Sequence, residues 1–196
     1  MPNQMATMTQ KADRLARIIF DTSFRHSKEP SFPLASGIMS QYYIDCKMAL
    51  SHPEARELIG ELIADRIHLT EVDAVGGMEL GAYPIAVAVS DAMFRKHGKN
   101  LRALVVRKQP KGHGLKKHIE GDVRPADKVL VVDDVVTSGK STIDAVAKIR
   151  DAGLEVVKVV VIVDREESGG RANIENCGTS LDALLTLSDL KALISG

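Results

Sequence analysis

From Val72 onward the chain alternates short, continuously apolar runs with longer stretches whose apolar residues recur every three or four positions. VDAVGG reads as a short strand ending in glycines, YPIAVAVSDAMFRKHG as a helix stopped by Gly98, and LRALVVR as a strand. KQPKGHGLKKHIEG is a long polar loop, KVLVVDDV a strand, SGKSTIDAVAKIRDAG a helix with a glycine stop, and VVKVVVIVDR another strand. Runs that are apolar throughout are strands covered on both faces, so the alternation predicts an α/β fold, a parallel sheet flanked by helices. Ligands of such sheets bind at the carboxyl ends of the strands. Functional residues are therefore expected just after Val75, Val106, Val132 and Val163.

Upstream the rhythm differs. A helix is expected over roughly Thr9 to Phe20, then a turn-rich stretch, FRHSKEPSFPLASG, then a short strand at Gln41–Asp45 with aromatic and β-branched content. Ser51 and Glu54 have the spacing of a capping box, and Pro53 suits an early helical position. The helix that follows places Leu58, Ile59, Leu62, Ile63 and Ile67 on one face.

Length and composition narrow the class. A chain of 196 residues fits one domain with at most a small appendage. Lysine plus arginine and aspartate plus glutamate both number 26, so no overall charge draws the protein to nucleic acid or to an anionic membrane. The two cysteines, Cys46 and Cys177, have neither CxxC spacing nor a nearby histidine, and read as free thiols in a reducing compartment. MPNQMATMTQKADR has no apolar core of the kind a secretory signal carries, and no run of 18 apolar residues occurs. These features predict a cytoplasmic location.

The sharpest motif is VLVVDDVVTSGKST, Val129 to Thr142. An apolar strand delivers two adjacent carboxylates, Asp133 and Asp134. Val135 and Val136 lead on to a small-residue turn, Thr137, Ser138, Gly139, Lys140 and Ser141, that opens a helix. Backbone N–H groups, hydroxyls and a helix N-terminus cradle a phosphate, and paired carboxylates accept from vicinal hydroxyls or, through water, face a metal ion. A phosphate cradle beside a diol cradle describes a ribose 5-phosphate site. The competing motifs fail: a P-loop needs glycine where Asp134 stands, and a dinucleotide fingerprint needs glycine at Met78. Two acids closing a buried strand are costly without a use.

A second motif, RKQPKGHG, crowds Arg107, Lys108, Lys111 and His113 into a loop with two glycines and a proline. Such a loop has the length and flexibility of a lid. Its cations suit an anionic ligand over which the loop closes.

VLVVDDVVTSGKST resembles the phosphoribosyl pyrophosphate signature of the type I phosphoribosyltransferases, and R-K-x-x-K-x-H-G is similar to the mobile loop of the orotate phosphoribosyltransferases. The resemblance runs from about Phe32 to Leu190. It implies a single domain over 1–196, with a small hood from about 1–50 plus part of the C-terminus and a phosphoribosyl pyrophosphate-binding core over about 70–165. It implies transfer of ribose 5-phosphate to orotate, giving orotidine 5′-monophosphate and pyrophosphate in pyrimidine (UMP) biosynthesis. By position, Asp133 and Asp134 contact the ribose hydroxyls, Thr137 to Ser141 hold the 5-phosphate, Val135 and Val136 complete the phosphoribosyl pyrophosphate-binding stretch, and Lys111 is the main catalytic cation, with Arg107, Lys108 and His113 on pyrophosphate. Thr137 and Arg165 would bind orotate, Arg165 through its carboxylate. Mg²⁺ is implied, bound chiefly through substrate and water with no direct protein ligand. A homodimer is implied too, loop 107–114 serving the neighbouring subunit. The chain departs from the pattern at Ala35 and near Gly81, where many relatives carry lysine. The alternatives are a purine phosphoribosyltransferase, which would lack R-K-x-x-K-x-H-G, a regulatory protein that keeps the fold as a ligand sensor, and a non-catalytic subunit of a sugar-pyrophosphate synthetase. Retention of Lys111 and His113 favours catalysis.

Overall fold

The structure, a computed structural model, describes residues 7–34, 37–68, 71–109 and 118–194. Ala35, Lys111, His113 and the rest of 110–117 lie outside the described residues.

The core is a six-stranded sheet made of β5 (Ala74–Met78), β6 (Arg102–Val106), β7 (Ile119–Glu120), β8 (Lys128–Val136), β9 (Glu155–Asp164) and β10 (Leu181–Thr186). The spatial order is β10-β9-β8-β5-β6-β7, parallel except for β7, which pairs antiparallel with β6. Because successive side chains on a strand point to opposite faces, each strand feeds two cores. Val75, Leu130, Val132, Val160 and Ile162 pack against α1 (Met8–Ser23), α2 (Cys46–Leu50), α3 (Pro53–Ala64) and α4 (Ala82–His97). Ala74, Val129, Val131, Val159 and Val161 pack against α5 (Lys140–Asp151) and α6 (Gly170–Asn176). Each fully buried Val, Leu or Ile contributes roughly 1.5–3 kcal/mol, which is why the uninterrupted apolar strands settle between two helical layers.

Outside this sheet, β1 (Phe24–His26) pairs antiparallel with β4 (Tyr42–Ile44), and β2 (Phe32–Pro33) with β3 (Met39–Ser40). The Phe24 and Tyr42 rings stack at 5.9 Å. Lys191 of α7 (Leu187–Ala192) sits 5.2 Å from the Tyr42 ring centroid. Segments from early and late in the chain thus meet around one aromatic residue.

The expected alternation is present, with Gly98 in the left-handed conformation closing α4. Several boundaries differ. The capping box at Ser51 does not form: Ser51 ends α2, its hydroxyl donating to the Met48 carbonyl, and His52 is the cap of α3 without a side-chain bond. Glu54 turns instead to Arg14 on α1, accepting two N–H bonds at 2.7 and 2.8 Å. Ile67 lies past the end of α3. β5 does not stop at its glycines but runs through them to Met78. Within the polar loop, Ile119 and Glu120 form β7. The elements β10, α2, α6 and α7 had no sequence expectation, their apolar stretches being too short for a period to show.

Candidate functional site

The chain crosses from β5 to β6 through α4 on one face, then returns to the far side of β5 and continues from β8 to β9 through α5 on the other face. The strand order therefore reverses at β5, and a crevice opens between the carboxyl ends of β5 and β8. Two glycines let the walls approach. A Cβ on Gly77 would lie 2.0 Å from the Val132 carbonyl oxygen, and one on Gly81 would lie 2.8–3.0 Å from the Asp134 carboxyl group.

β8 runs from Lys128 to Val136, one residue beyond the expected strand KVLVVDDV, with the acidic pair inside it. The pleat separates the two carboxylates. Asp133 turns under α5 and is buried, while Asp134 faces the Gly81 turn and is half-buried. Asp133 Oδ2 accepts from the Thr142 hydroxyl at 2.7 Å and the Ser141 hydroxyl at 3.2 Å, and its Oδ1 accepts the Asp134 backbone N–H at 3.0 Å. Of the roughly four acceptor positions of a carboxylate, one on Oδ1 stays available. Burial, then the neighbouring charge of Asp134, push the Asp133 carboxyl up to about 7, against the pull of its hydrogen bonds. A titrating carboxyl held beside a half-exposed one, at a strand-end crevice, marks a functional site.

The turn after β8 is shaped by Gly139, whose φ of +79° favours glycine and where a Cβ would lie 3.0 Å from the Gly170 carbonyl oxygen. Gly139 caps α5 with no side-chain bond, so the first N–H groups of that helix face the crevice side of the turn without a capping hydroxyl. Asn173 of α6 braces the turn from behind, donating to the Ser138 carbonyl at 3.0 Å. Lys140 and Ser141 are exposed, and Thr137 and Ser138 half-buried. The turn thus keeps the ingredients of a phosphate cradle, while the Ser141 hydroxyl is directed at Asp133.

At the end of β6, the roots of the basic loop are pinned. The Arg107 N–H donates to the His118 carbonyl at 2.7 Å, and the Lys108 N–H donates to Glu79 Oε1 at 2.9 Å. Lys148 of α5 donates to the Arg107 and Lys108 carbonyls at 3.2 and 3.0 Å. The Arg107 guanidinium lies 3.7 Å from the Glu120 carboxylate. One helix thereby carries the phosphate turn at its start and the anchor of the loop in its third turn.

Arg165 follows β9, its N–H bonded to the Val136 carbonyl at 3.0 Å, so it starts level with the phosphate turn. It is only 2% exposed. Its Nε and Nη2 both donate to Glu167 Oε2, at 2.9 and 2.7 Å, and Nη2 also donates to the Tyr42 carbonyl at 2.9 Å and the Ser40 hydroxyl at 3.2 Å.

The structure therefore gathers Asp133, Asp134, Val135, Val136, Thr137, Ser138, Gly139, Lys140, Ser141 and Arg165 along one edge of the sheet, with Arg107 and Lys108 at a neighbouring strand end. Sequence reading missed Thr142, Ser40, Glu79, Lys148 and Glu167. Thr142 alone had a local signal, since it stands on the first turn of the helix that the acidic motif opens. Among the described residues no group of three or more His, Cys, Asp or Glu side chains could hold a metal ion. Two carboxylates at the crevice suit Mg²⁺, which keeps most of its water and takes one or two carboxylates plus substrate oxygens.

A family model described as the phosphoribosyl transferase domain matches residues 46–179. An orotate phosphoribosyltransferase of Aquifex aeolicus is 44% identical over 178 residues, covering 91% of this chain and 96% of the relative. Among solved structures, the orotate phosphoribosyltransferase of Mycobacterium tuberculosis in complex with Fe(III) dicitrate superposes with a TM-score of 0.78 at 37% identity, covering 92% of this chain and 98% of that one. The same enzyme in complex with 5-phospho-α-D-ribosyl 1-diphosphate gives 0.73 at 32% identity over 95% and 93% of the two chains.

Proposed function

Because the chain belongs to the phosphoribosyltransferase family, among the orotate phosphoribosyltransferases, we propose the following division of labour for the reaction it catalyses. The enzyme transfers ribose 5-phosphate from phosphoribosyl pyrophosphate to orotate, releasing pyrophosphate, a step of pyrimidine biosynthesis. The observation that carries the site assignment is the acidic pair beside an uncapped helix start at the β5–β8 crevice.

The 5-phosphate rests on the N–H groups of residues 137–141, where the start of α5 supplies partial positive charge. Asp134 from its half-exposed position, and Asp133 through its remaining Oδ1 acceptor, take hydrogen bonds from the ribose hydroxyls. Substitution at the anomeric carbon passes through an oxocarbenium-like state, so the site needs alignment and charge stabilisation and no enzyme nucleophile. Lys111, with Arg107, Lys108 and His113, balances charge on the pyrophosphate as it leaves. Asp133 and Asp134 would hold Mg²⁺ chiefly through water, and the ion would supply charge neutralisation to the pyrophosphate. Arg165 and Thr137 lie next to each other across β8 and β9 and receive orotate.

The loop 107–114 serves the partner of a homodimer. This reading is supported by the resemblance of the loop and by exposed Leu80, Tyr83 and Phe94 on α4 and the turn before it, apolar surface of a kind that twofold interfaces cover. The protein acts in the cytoplasm, consistent with two free cysteines. Among the described residues no helix is long and apolar enough to cross a membrane.

The test is pyrophosphate release from phosphoribosyl pyrophosphate and Mg²⁺ with a panel of bases. Turnover with orotate and none with adenine or hypoxanthine is expected, and the reverse would refute the assignment. Subunit exchange between a Lys111→Ala chain and an Asp133→Asn/Asp134→Asn chain tests the dimer. About half the dimers would be mixed, each with one intact site, restoring roughly a quarter of wild-type activity. Confirmed exchange without recovery would place the loop on its own subunit.

A further inference from the structure

We propose that Glu167 is a positioning residue for orotate: it fixes which corner of the Arg165 guanidinium meets the base, and it links that corner to the N-terminal strands. The proposal rests on the reading of Arg165 as an orotate ligand.

Arg165 is nearly fully buried, and Glu167 is the carboxylate paired with it. The pairing is directional. Nε and Nη2 converge on Glu167 Oε2, and Nη2 is further used by the Tyr42 carbonyl and the Ser40 hydroxyl. No bond among the described residues uses Nη1. A guanidinium held along one edge offers an incoming carboxylate only its remaining corner, so the contact with orotate comes from the Nη1 amino group alone and not from a clamp spanning two nitrogens. The other oxygen of Glu167, Oε1, accepts from the Ser40 hydroxyl at 3.1 Å, and Ser40 Oγ in turn accepts the Tyr42 N–H at 3.1 Å. Glu167 therefore joins the strand end to β3 and β4.

The loop that carries it is held on both sides. Glu166 reaches the opposite way, its Oε2 accepting the Ser188 N–H and hydroxyl at 3.0 and 2.6 Å at the start of α7. Glu166, Ser168 and Gly169 have φ of 55°, 56° and 67°. Left-handed backbone at non-glycine residues persists only where the surroundings over-determine it, and here two adjacent glutamates tie the loop to different parts of the fold.

Two effects of Glu167 oppose each other. Its hydrogen bonds aim the guanidinium, which favours orotate. Its charge offsets that of Arg165, which weakens the pull on any anion. The glutamine variant keeps the acceptor and drops the charge, so it separates them.

The experiment measures KM for orotate and for phosphoribosyl pyrophosphate, kcat and melting temperature in Arg165→Ala, Glu167→Ala, Glu167→Gln and Ser40→Ala. The expected pattern is a rise in orotate KM of about tenfold in Glu167→Ala, about threefold or less in Glu167→Gln, and about threefold in Ser40→Ala. KM for phosphoribosyl pyrophosphate stays within about twofold throughout. A purely structural brace would lower melting temperature and leave orotate KM unchanged, which overturns the proposal. A fall in both the alanine and glutamine variants would show that charge outweighs aim, and equal rises in both would show that the retained acceptor does not aim the guanidinium; either overturns the proposal. If Glu167→Ala does not fold, Glu167→Gln and Ser40→Ala decide: a rise in orotate KM in Ser40→Ala that exceeds the one in Glu167→Gln supports the proposal, and no change in either overturns it. Unchanged orotate KM in Arg165→Ala would refute the base site itself, a different outcome from Arg165→Ala raising it while the Glu167 variants do not.

Discussion

The carboxyl ends of β8 and β9 are adjacent in the sheet, yet they are built in opposite ways. The β8 end is local: Asp133, its hydroxyl partners Ser141 and Thr142, and the turn between them fall within ten consecutive residues. The β9 end is assembled from afar, with Arg165 meeting Ser40 and Tyr42 across sequence separations of 125 and 123 residues. Both need buried charge satisfied. A short loop can do this with its own hydroxyls, whereas the Arg165 guanidinium adds to its local partner Glu167 two groups that only folding brings near. In the proposed division of labour the local end receives the ribose 5-phosphate and the assembled end the base.

Breaking the local end should cost most. Asp133→Asn with Asp134→Asn is expected to reduce pyrophosphate release by about a thousandfold or more, with circular dichroism unchanged because repulsion at the strand end is relieved. Turnover near wild type would remove the acidic pair from the mechanism.

Breaking the assembled end should cost less and act on a different parameter. Arg165→Ala is expected to weaken transition-state or ground-state contacts to orotate by about 2–5 kcal/mol, read as kcat/KM for orotate, with KM for phosphoribosyl pyrophosphate little changed. Equal losses toward both substrates would mean that the two ends are not separable.

A smaller change sharpens the first end. Thr142→Val removes the shortest bond to Asp133. That bond lowers the Asp133 pKa, so its loss raises the carboxyl further above its present position near 7. Turnover should fall by about tenfold, and the acid limb of the rate–pH profile should move to higher pH. An unshifted limb would show that Asp133 does not control it.

The smallest effect concerns stability. The Asp133 carboxyl is raised from 3.8 to about 7 in the folded protein. Below the lower value it is protonated in both folded and unfolded chains. Between the two values only the unfolded chain ionises readily, so stability is lost as pH rises through that window. The melting-temperature difference between Asp133→Asn and wild type should therefore increase in the variant's favour from pH 5 to pH 8, by a few degrees, about what 1–2 kcal/mol produces. A constant difference would place Asp133 outside the titrating range.

The sequence by itself determined the parallel sheet, the two helical layers and the acidic phosphate turn. Continuous apolar runs, glycine stops and a hydroxyl-rich turn act through neighbours in the chain, and their physics is readable in a window of about ten residues. Tertiary structure decided that β8 continues one residue past the expected KVLVVDDV, because pairing with β9 at Val136↔Asp164 extends it. It decided that Ser51 would close α2 and leave Glu54 to Arg14, since α1 packs within reach. It separated Asp133 from Asp134, because alternate strand residues face different layers. It also placed Ser40 and Tyr42 beside Arg165 and its near neighbour Glu167. Those contacts join residues more than a hundred positions apart, and nothing in the local pattern at either place distinguishes a partner from a solvated side chain.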